Sequence, residues 1–444
     1  MRWCLALLLC CFLAAVNALS SSGSRLLVVL DDSTEKSSFS TLWSDLEGRG
    51  YDVSFESPKS DKLSLFEHGE RAYDHLLVLP PEIQGWDGNI LLALSGKSAT
   101  SSAVSSLLLE ADVHLSSDRS AVVIDHFNYD TISAAEKHDV LLLQRPGSLR
   151  PDIKAFFDGE GVLALPRVAP QTLGGESALV APILRAPNTA YAYNPKEEIP
   201  AAEDIEATGS QLNIVSTMQA RNSARFTVLG SVEALEDKWF SASVKTPNGQ
   251  KTTTVNREFA KQLTAWTFKE TGVLKVGEIK HHLVTDGEVA LEDLNPKIYR
   301  IKNETFFSIE ISEYSYDKWV PFELPADDEL QLEFTMLSPF HRLALEPTSR
   351  TETSTVYSTK FVTPDQHGIF SFRVNYKRPF LTSVEEKHEV TVRHFAHDEY
   401  ARSWAISAGW VWIAGLWSVI GGFLAFVVVW LYSAPVADKT KKTQ

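Results

Sequence analysis

Cysteine is almost missing from this chain. The three present are Cys4, Cys10 and Cys11, all inside a short apolar leader. Whatever follows the leader therefore has no thiol for a disulfide, a zinc–thiolate site or a cysteine nucleophile. Positive charge is also scarce: 42 Lys and Arg stand against 57 Asp and Glu, a net charge of −15. That balance argues against nucleic acid as a partner, because neutralising phosphates takes a basic face. It also disfavours docking on anionic lipid. Nucleotide-binding loops are lacking. Gly96-Lys97-Ser98 resembles the end of a phosphate loop, but Leu91 stands where the earlier glycine belongs. Gly159-Glu-Gly161-Val-Leu-Ala164 matches a dinucleotide fingerprint loosely, with no clear strand before it, and no Gly-x-Ser-x-Gly elbow occurs. Apolar residues are not scarce. At 44% of 444 residues they exclude a disordered chain and allow two or three domains with real cores.

Two apolar segments stand out. Leu5–Val16 carries no charge, follows Arg2 and leads into Val16-Asn17-Ala18, the pattern of a cleaved signal peptide over 1–18. Trp404–Tyr432 is 29 residues long within an uncharged stretch, against the about 20 needed to cross a bilayer, so 403–432 reads as a transmembrane helix in contact with membrane lipid. Trp404 and Trp430-Leu431-Tyr432 sit near its ends, as interfacial aromatics do. A signal followed by one span predicts a single-pass type I protein of the endoplasmic reticulum membrane, its bulk in the lumen and 433–444 in the cytosol. Lys439, Lys441 and Lys442 agree with that orientation. Lys441 and Lys442, fourth and third from the end, match a dilysine retrieval signal; an ordinary positive flank is the alternative.

Between these segments the hydrophobic period changes once. Arg25–Leu30 is a continuous apolar run ending in Asp31-Asp32, expected as a buried parallel strand. Phe39, Leu42, Trp43 and Leu46 recur at helical spacing before Gly48 and Gly50. Further strands are expected at Tyr51–Phe55, His75–Leu79 (closed by Pro80-Pro81), Ile90–Leu94, Ala121–Ile124 and Arg225–Leu229, and helices at Ser101–Ala111 and Asn256–Thr271. The alternation predicts an α/β domain over 19–272 around a mainly parallel sheet, with 194–210 as a loop. After 272 the period becomes two. Phe307, Ile309 and Ile311, then Leu330 to Met336, then Phe370 to Tyr376 alternate with polar residues, which predicts an antiparallel β-sandwich region over 273–402. The polar stretch Thr348–Thr355 leaves open whether it holds one module or two.

Candidate chemistry is sparse. Asp31 and Asp32 end one strand; Asp125 and His126, with Asn128 and Asp130, end another. Ligands of doubly wound sheets bind at such ends, so these are candidate glycan contacts or an acid–base pair; helix capping and loop ordering are the structural alternative. His388, His394 and His397 with Asp398 and Glu399 resemble a metal set, but polar residues are expected just above a span, and no metal or cofactor is assigned. His281 and His282 are adjacent, so on a strand they face opposite ways. Asn303-Glu304-Thr305 is an N-glycosylation sequon. Within the span, Ala414, Gly415, Ser418, Gly421 and Gly422 offer a small-residue face for another helix.

Several of these stretches together resemble one family, the DDOST (Wbp-type) subunit of the oligosaccharyltransferase complex. They are Arg25–Asp32, Val122–Asp130, Gln219-Ala-Arg-Asn-Ser-Ala-Arg225, Glu258 to Leu274, Asn295–Ile301, Trp319–Phe322, Gln331–Phe334 and Arg393–Tyr400. Asn222-Ser223 departs from the more usual Asn-Asn. The resemblance implies a non-catalytic subunit supporting transfer of a preassembled oligosaccharide from dolichyl diphosphate to Asn of Asn-x-Ser/Thr. It implies a multi-span catalytic subunit, a ribophorin II-like (Swp-type) subunit and a small DAD-like membrane subunit as partners. It also implies an amidotransferase-like α/β fold, whose activity needs a cysteine, and none follows the leader. A lumenal carbohydrate-active enzyme and a cargo receptor stay open as alternatives.

Overall fold

The computed structural model describes residues 19–30, 36–57, 64–67, 69–79, 88–97, 99–145, 156–175, 177, 179–194, 206–285, 288–289, 294–325, 328–400 and 409–433. The apolar runs become buried strands: β1 (Arg25–Leu30), β2 (Asp52–Glu56), β3 (His75–Leu79) and β4 (Asn89–Ala93). β5 (Val113–Leu115), β6 (Gln171–Leu173), β7 (Val180–Arg185), β8 (Asn213–Gln219) and β9 (Arg225–Leu229) complete the sheet. Its order is β2-β1-β3-β4-β9-β8-β6-β5, with β7 also on β8. The first five strands in that order are parallel. The rest join antiparallel. The sheet is thus mixed rather than mainly parallel, because β8 and β9 are joined by a five-residue turn too short for a parallel crossover.

Both faces are covered, as a continuous apolar run requires. Leu26 and Val28 face a core completed by helix α1 (Ser40–Gly48) and helix α3 (Asn256–Thr267), through Leu42, Trp43, Leu46, Phe259, Leu263 and Trp266. Leu27 and Val29 face the opposite core, where helix α2 (Ser102–Glu110) adds Val104 and Leu108. Each such side chain contributes about 1.5–3 kcal/mol of burial. The Ser101 hydroxyl caps α2 by accepting from the Val104 N–H at 3.3 Å. The third helix ends at Thr267, short of the expected Thr271, because Lys269 turns into the left-handed region at φ 59°. The Ala121–Ile124 run does form a strand (Val122–Ile124), but outside the main sheet: it pairs antiparallel with Tyr191–Tyr193. Gly161–Pro166, part of the loose dinucleotide match, is a strand paired with Val140–Arg145. Pro80-Pro81 and residues 195–205 of the expected loop lie outside the described residues.

From residue 271 the chain is β-sheet, antiparallel as expected except where Ile298–Arg300 pairs parallel with Val384–Arg393. One sheet holds β10 (Thr271–Thr285), β12 (Glu304–Ser315), β13 (Lys318–Pro321), β16 (Glu346–Arg350) and β17 (Thr355–Val362). The facing sheet holds β11 (Ile298–Arg300), β14 (Gln331–Thr335), β15 (Pro339–Ala344), β18 (Gly368–Tyr376) and β19 (Val384–Arg393). Alternate residues of both sheets meet in one core: Phe307, Ile309 and Ile311 from one, Leu332, Phe334, Phe370, Phe372 and Val374 from the other. The rings of Phe334 and Phe370 stack at 4.7 Å. The polar stretch Thr348–Thr355 supplies the edge strand β16 and the turn into β17 rather than a divider between cores. The last element, helix α4 (Gly409–Tyr432), is 24 residues long with mean hydropathy 2.2 and is exposed along its length.

Candidate functional site

Asp125 follows the 122–124 strand and is fully buried. Its carboxylate accepts from the Phe127 N–H at 2.8 Å, the Asn128 side-chain amide at 2.9 Å and the Thr189 hydroxyl at 2.7 Å, with the Asn128 N–H at 3.3 Å. Asp130 is held the same way by the N–H groups of Ile132, Ser133 and Lys245. These carboxylates order a loop; their lone pairs are occupied. His126, by contrast, is exposed. Its Nε2 lies 2.8 Å from the Tyr191 hydroxyl, and its ring lies 4.8 Å from His138, which stacks on Tyr129 at 3.9 Å. The result is a polar aromatic surface of a kind that can stack on a sugar. Asp31 and Asp32 lie outside the described residues.

The apparent metal set does not assemble. His388 lies edge-on to His281 at 6.1 Å, whereas His394 packs on His367 at 4.0 Å. Glu399 is engaged by Arg393 at 2.7 and 2.8 Å, which holds its carboxyl down to about 2. Among the described residues no three His, Cys, Asp or Glu are grouped to hold an ion. His281 and His282 do face opposite ways: His281 stacks on Phe372 at 4.7 Å and meets the Tyr299 hydroxyl, while His282 stacks on Phe306. Asn303 is half-buried, its side-chain oxygen accepting from the Arg300 N–H at 3.1 Å, and Thr305 is fully buried in β12.

The densest polar construction was not singled out as a site in the sequence. It lies where the β8–β9 hairpin meets the 377–383 segment before β19. Arg225 is 0% exposed. One guanidinium nitrogen donates to the carbonyls of Trp266 (2.6 Å) and Thr271 (2.7 Å), the other to Gly272 (2.7 Å) and Phe380 (3.3 Å). Its flat face lies 4.7 Å from the Trp266 ring. Burial lowers the Arg225 pKa, and Glu313 opposes that shift. The Trp266 indole also donates to the Phe380 carbonyl at 3.1 Å. The Gln219 amide donates to the Leu381 carbonyl, and the Ser383 N–H to the Ser223 hydroxyl. Gly272 sits at φ 69°, and a Cβ there would come within 2.7 Å of the Phe380 carbonyl, so no other residue fits. The motif Gln219–Arg225 is therefore the clasp between the α/β unit and the sandwich. Ser223 sits at φ 62°, a conformation Asn adopts more readily, which explains Asn as the alternative there.

A second buried polar group closes the α/β unit. His75, 0% exposed, lies 3.0 Å from the Ser20 hydroxyl, and its Nδ1 accepts from the Asn89 amide at 3.3 Å. Burial pushes its pKa down to about 4 from 6.5, against the Gly23 carbonyl at 3.2 Å, which raises it. The unfolded chain takes up this proton below pH 6.5 and the folded one only near 4. Stability from this residue is thus complete above 6.5 and falls as pH drops towards 4, by about 3 kcal/mol in all. A denaturation series should show His75→Gln with a shallower acid slope than the parent between pH 6.5 and 4.5; equal slopes would refute this.

Helix α4 carries the expected small residues. At 100° per residue Ala414, Gly415, Ser418, Gly421 and Gly422 fall within an arc of roughly 120°. A Cβ on Gly415, Gly421 or Gly422 would meet nothing within 4 Å. The Ser418 hydroxyl donates to the Gly415 carbonyl at 2.8 Å, so its own donor is satisfied within the helix. The expected span residues before 409, including Trp404, and the tail with Lys441 and Lys442 lie outside the described residues.

An α/β unit clasped to a β-sandwich, followed by the one helix among the described residues apolar enough to cross a bilayer, fits the class of membrane proteins with a two-part body outside the span. Residues 17–270 match the family described as OST48, N-terminal domain, and residues 281–434 match the OST48 middle domain. The chain belongs to the OST48 family. It is 33% identical over 462 residues (98% of this chain, 99% of the relative) to the dolichyl-diphosphooligosaccharide–protein glycosyltransferase subunit wbp1 of Schizosaccharomyces pombe. It is 31% identical over 435 residues (92% of each) to the 48 kDa subunit of the same enzyme in Arabidopsis thaliana. To the Danio rerio 48 kDa subunit it is 30% identical over 432 residues, 92% of this chain and 91% of the relative.

Proposed function

We propose that this chain is the 48 kDa (Wbp-type) subunit of an oligosaccharyltransferase complex, an accessory part that supports transfer of oligosaccharide from dolichyl diphosphate to Asn of Asn-x-Ser/Thr. The end-to-end family match carries this reading. The buried, fully occupied carboxylate of Asp125 supports a non-catalytic role. The partners are a multi-span catalytic subunit, a ribophorin II-like subunit and a small DAD-like subunit. The protein sits in the endoplasmic reticulum membrane with its body in the lumen, retrieved through Lys441 and Lys442. The five parallel strands flanked by helices support an amidotransferase-like reading of the α/β unit. His126, beside Tyr191 and His138, is a contact for glycan, with Asp125 ordering its loop and Asp31 and Asp32 as further candidates. Asn303 is a candidate acceptor for a glycan of its own.

Purification in mild detergent should recover a multi-span glycosyltransferase subunit with this chain, and depleting the chain should lower N-glycan occupancy of secreted proteins. Isolation as a lone monomer, or full occupancy without it, overturns the reading. The small-residue arc of α4 is proposed as the face for a neighbouring helix. Gly422→Leu should then cut recovery of partner subunits severalfold while the melting of the soluble body stays unchanged; an intact complex would remove the arc from the account.

A further inference from the structure

Beside the clasp lies a cavity of about 380 Å³, a volume typical of ligand pockets. Trp266, Phe380, Pro379, Leu179 and Ala181 give it an apolar lining. Leu179 is 43% exposed, so part of this apolar lining is uncovered. Three cations, Lys377, Arg378 and Arg221, also line the cavity. Lys377 is paired with Glu385 at 3.0 Å, and Arg378 with Asp328. Arg221, at the exposed tip of the β8–β9 hairpin, has no ion pair or side-chain hydrogen bond among the described residues. The lining contains no carboxylate, in a chain whose net charge is −15. Gln219 also lines the cavity: its buried Oε1 has no donor among the described residues, while its amide nitrogen is committed to Leu381.

These features select an occupant. The apolar lining takes a hydrophobic side chain, and Arg221 takes a carboxylate, the partner its planar fork fits best. The unmet acceptor of Gln219 takes an N–H group, which an orphaned buried oxygen requires to avoid its desolvation penalty. A lipid tail offers no N–H donor. An extended polypeptide offers all three groups within a few residues.

We propose that this cavity seats an extended segment from the lumenal part of another subunit of the complex, with an apolar side chain on Trp266 and Phe380 and an adjacent Asp or Glu on Arg221. The inference rests on the reading of the chain as a complex subunit. Because the cavity is walled by both the α/β unit and the 377–383 segment, such a segment would bridge the two parts of the body as well as the two subunits.

The test places the photo-crosslinking residue p-benzoylphenylalanine at Leu179 of the full chain, within assembled complexes in native membranes, with Leu109, exposed on α2 and outside the cavity lining, as control. Irradiation should join Leu179 to a peptide of another subunit in which an apolar residue neighbours Asp or Glu. Arg221→Glu should cut that adduct roughly tenfold, the loss expected for one charge-assisted hydrogen bond, with the complex still recovered. An adduct to lipid, to a nascent chain or at no more than the control level overturns the proposal, as does a yield indifferent to Arg221→Glu. Arg221 is exposed and makes none of the clasp's hydrogen bonds, so Arg221→Glu should leave the fold intact. If the chain fails to co-purify with other subunits at all, the functional reading fails instead, and the two failures are told apart by the purification alone.

Discussion

Arg225→Met is expected to destabilise the soluble body by about 4 kcal/mol. The side chain is wholly buried and gives four hydrogen bonds to main-chain carbonyls from three stretches of chain: the end of α3, the start of β10 and the segment before β19. Hydrogen bonds from a charged donor contribute about 1.5–3 kcal/mol each, and burying the ion costs several kcal/mol in return. Methionine restores volume but satisfies none of the carbonyls. Arg225→Lys keeps the charge on a single nitrogen and cannot span the fork, so it should recover only part of the loss. Chemical denaturation of the purified chain reads the difference. Limited proteolysis around 377–383 should speed up in both variants; parental stability in Arg225→Met would show that the clasp is ornamental.

Phe380 separates the side-chain and main-chain halves of the same junction. Its ring is 2% exposed and packs 5.3 Å from Trp266 and 6.1 Å from Phe157, inside the α/β core although it belongs to the approach to β19. Phe380→Ala should cost about 3–5 kcal/mol through the cavity it leaves. The residue also sits at φ 69°, a conformation that penalises any Cβ. Phe380→Gly should therefore be less harmful than Phe380→Ala by about 1 kcal/mol, the reverse of the usual order in an ordered segment. Paired denaturation curves decide it, and Trp266 fluorescence should shift to the red in both. An alanine variant at least as stable as glycine would contradict the strain argument.

What could be read from residues alone followed local pattern. β1 and β3 were legible because their apolar runs are unbroken, and β12, β14 and β18 because a buried face repeats every second residue. Pairing between distant segments was not legible. The strand before Asp125 looked like one more member of the main sheet, yet its partner is Tyr191–Tyr193, about 70 residues on. Arg225 opens an otherwise apolar strand and reads as a solvated flank. Its role depends on carbonyls that only folding brings within reach. The one available signal was its place in the Gln219–Arg225 motif, which marked the stretch as distinctive without saying that it joins two bodies.

The clasp also sets a schedule for biosynthesis. Arg225 must wait for Phe380, 155 residues later in the chain. At about 5–20 residues per second, the ribosome supplies that partner roughly 10–30 s after the arginine emerges. Through that interval Arg225 can reach the carbonyls of Trp266, Thr271 and Gly272 but not that of Phe380, and the α/β unit keeps a gap where a phenyl ring belongs, so it cannot reach its final state while still being made. Premature termination anywhere before residue 380 should leave the first half of this protein a chaperone client rather than a stable fragment.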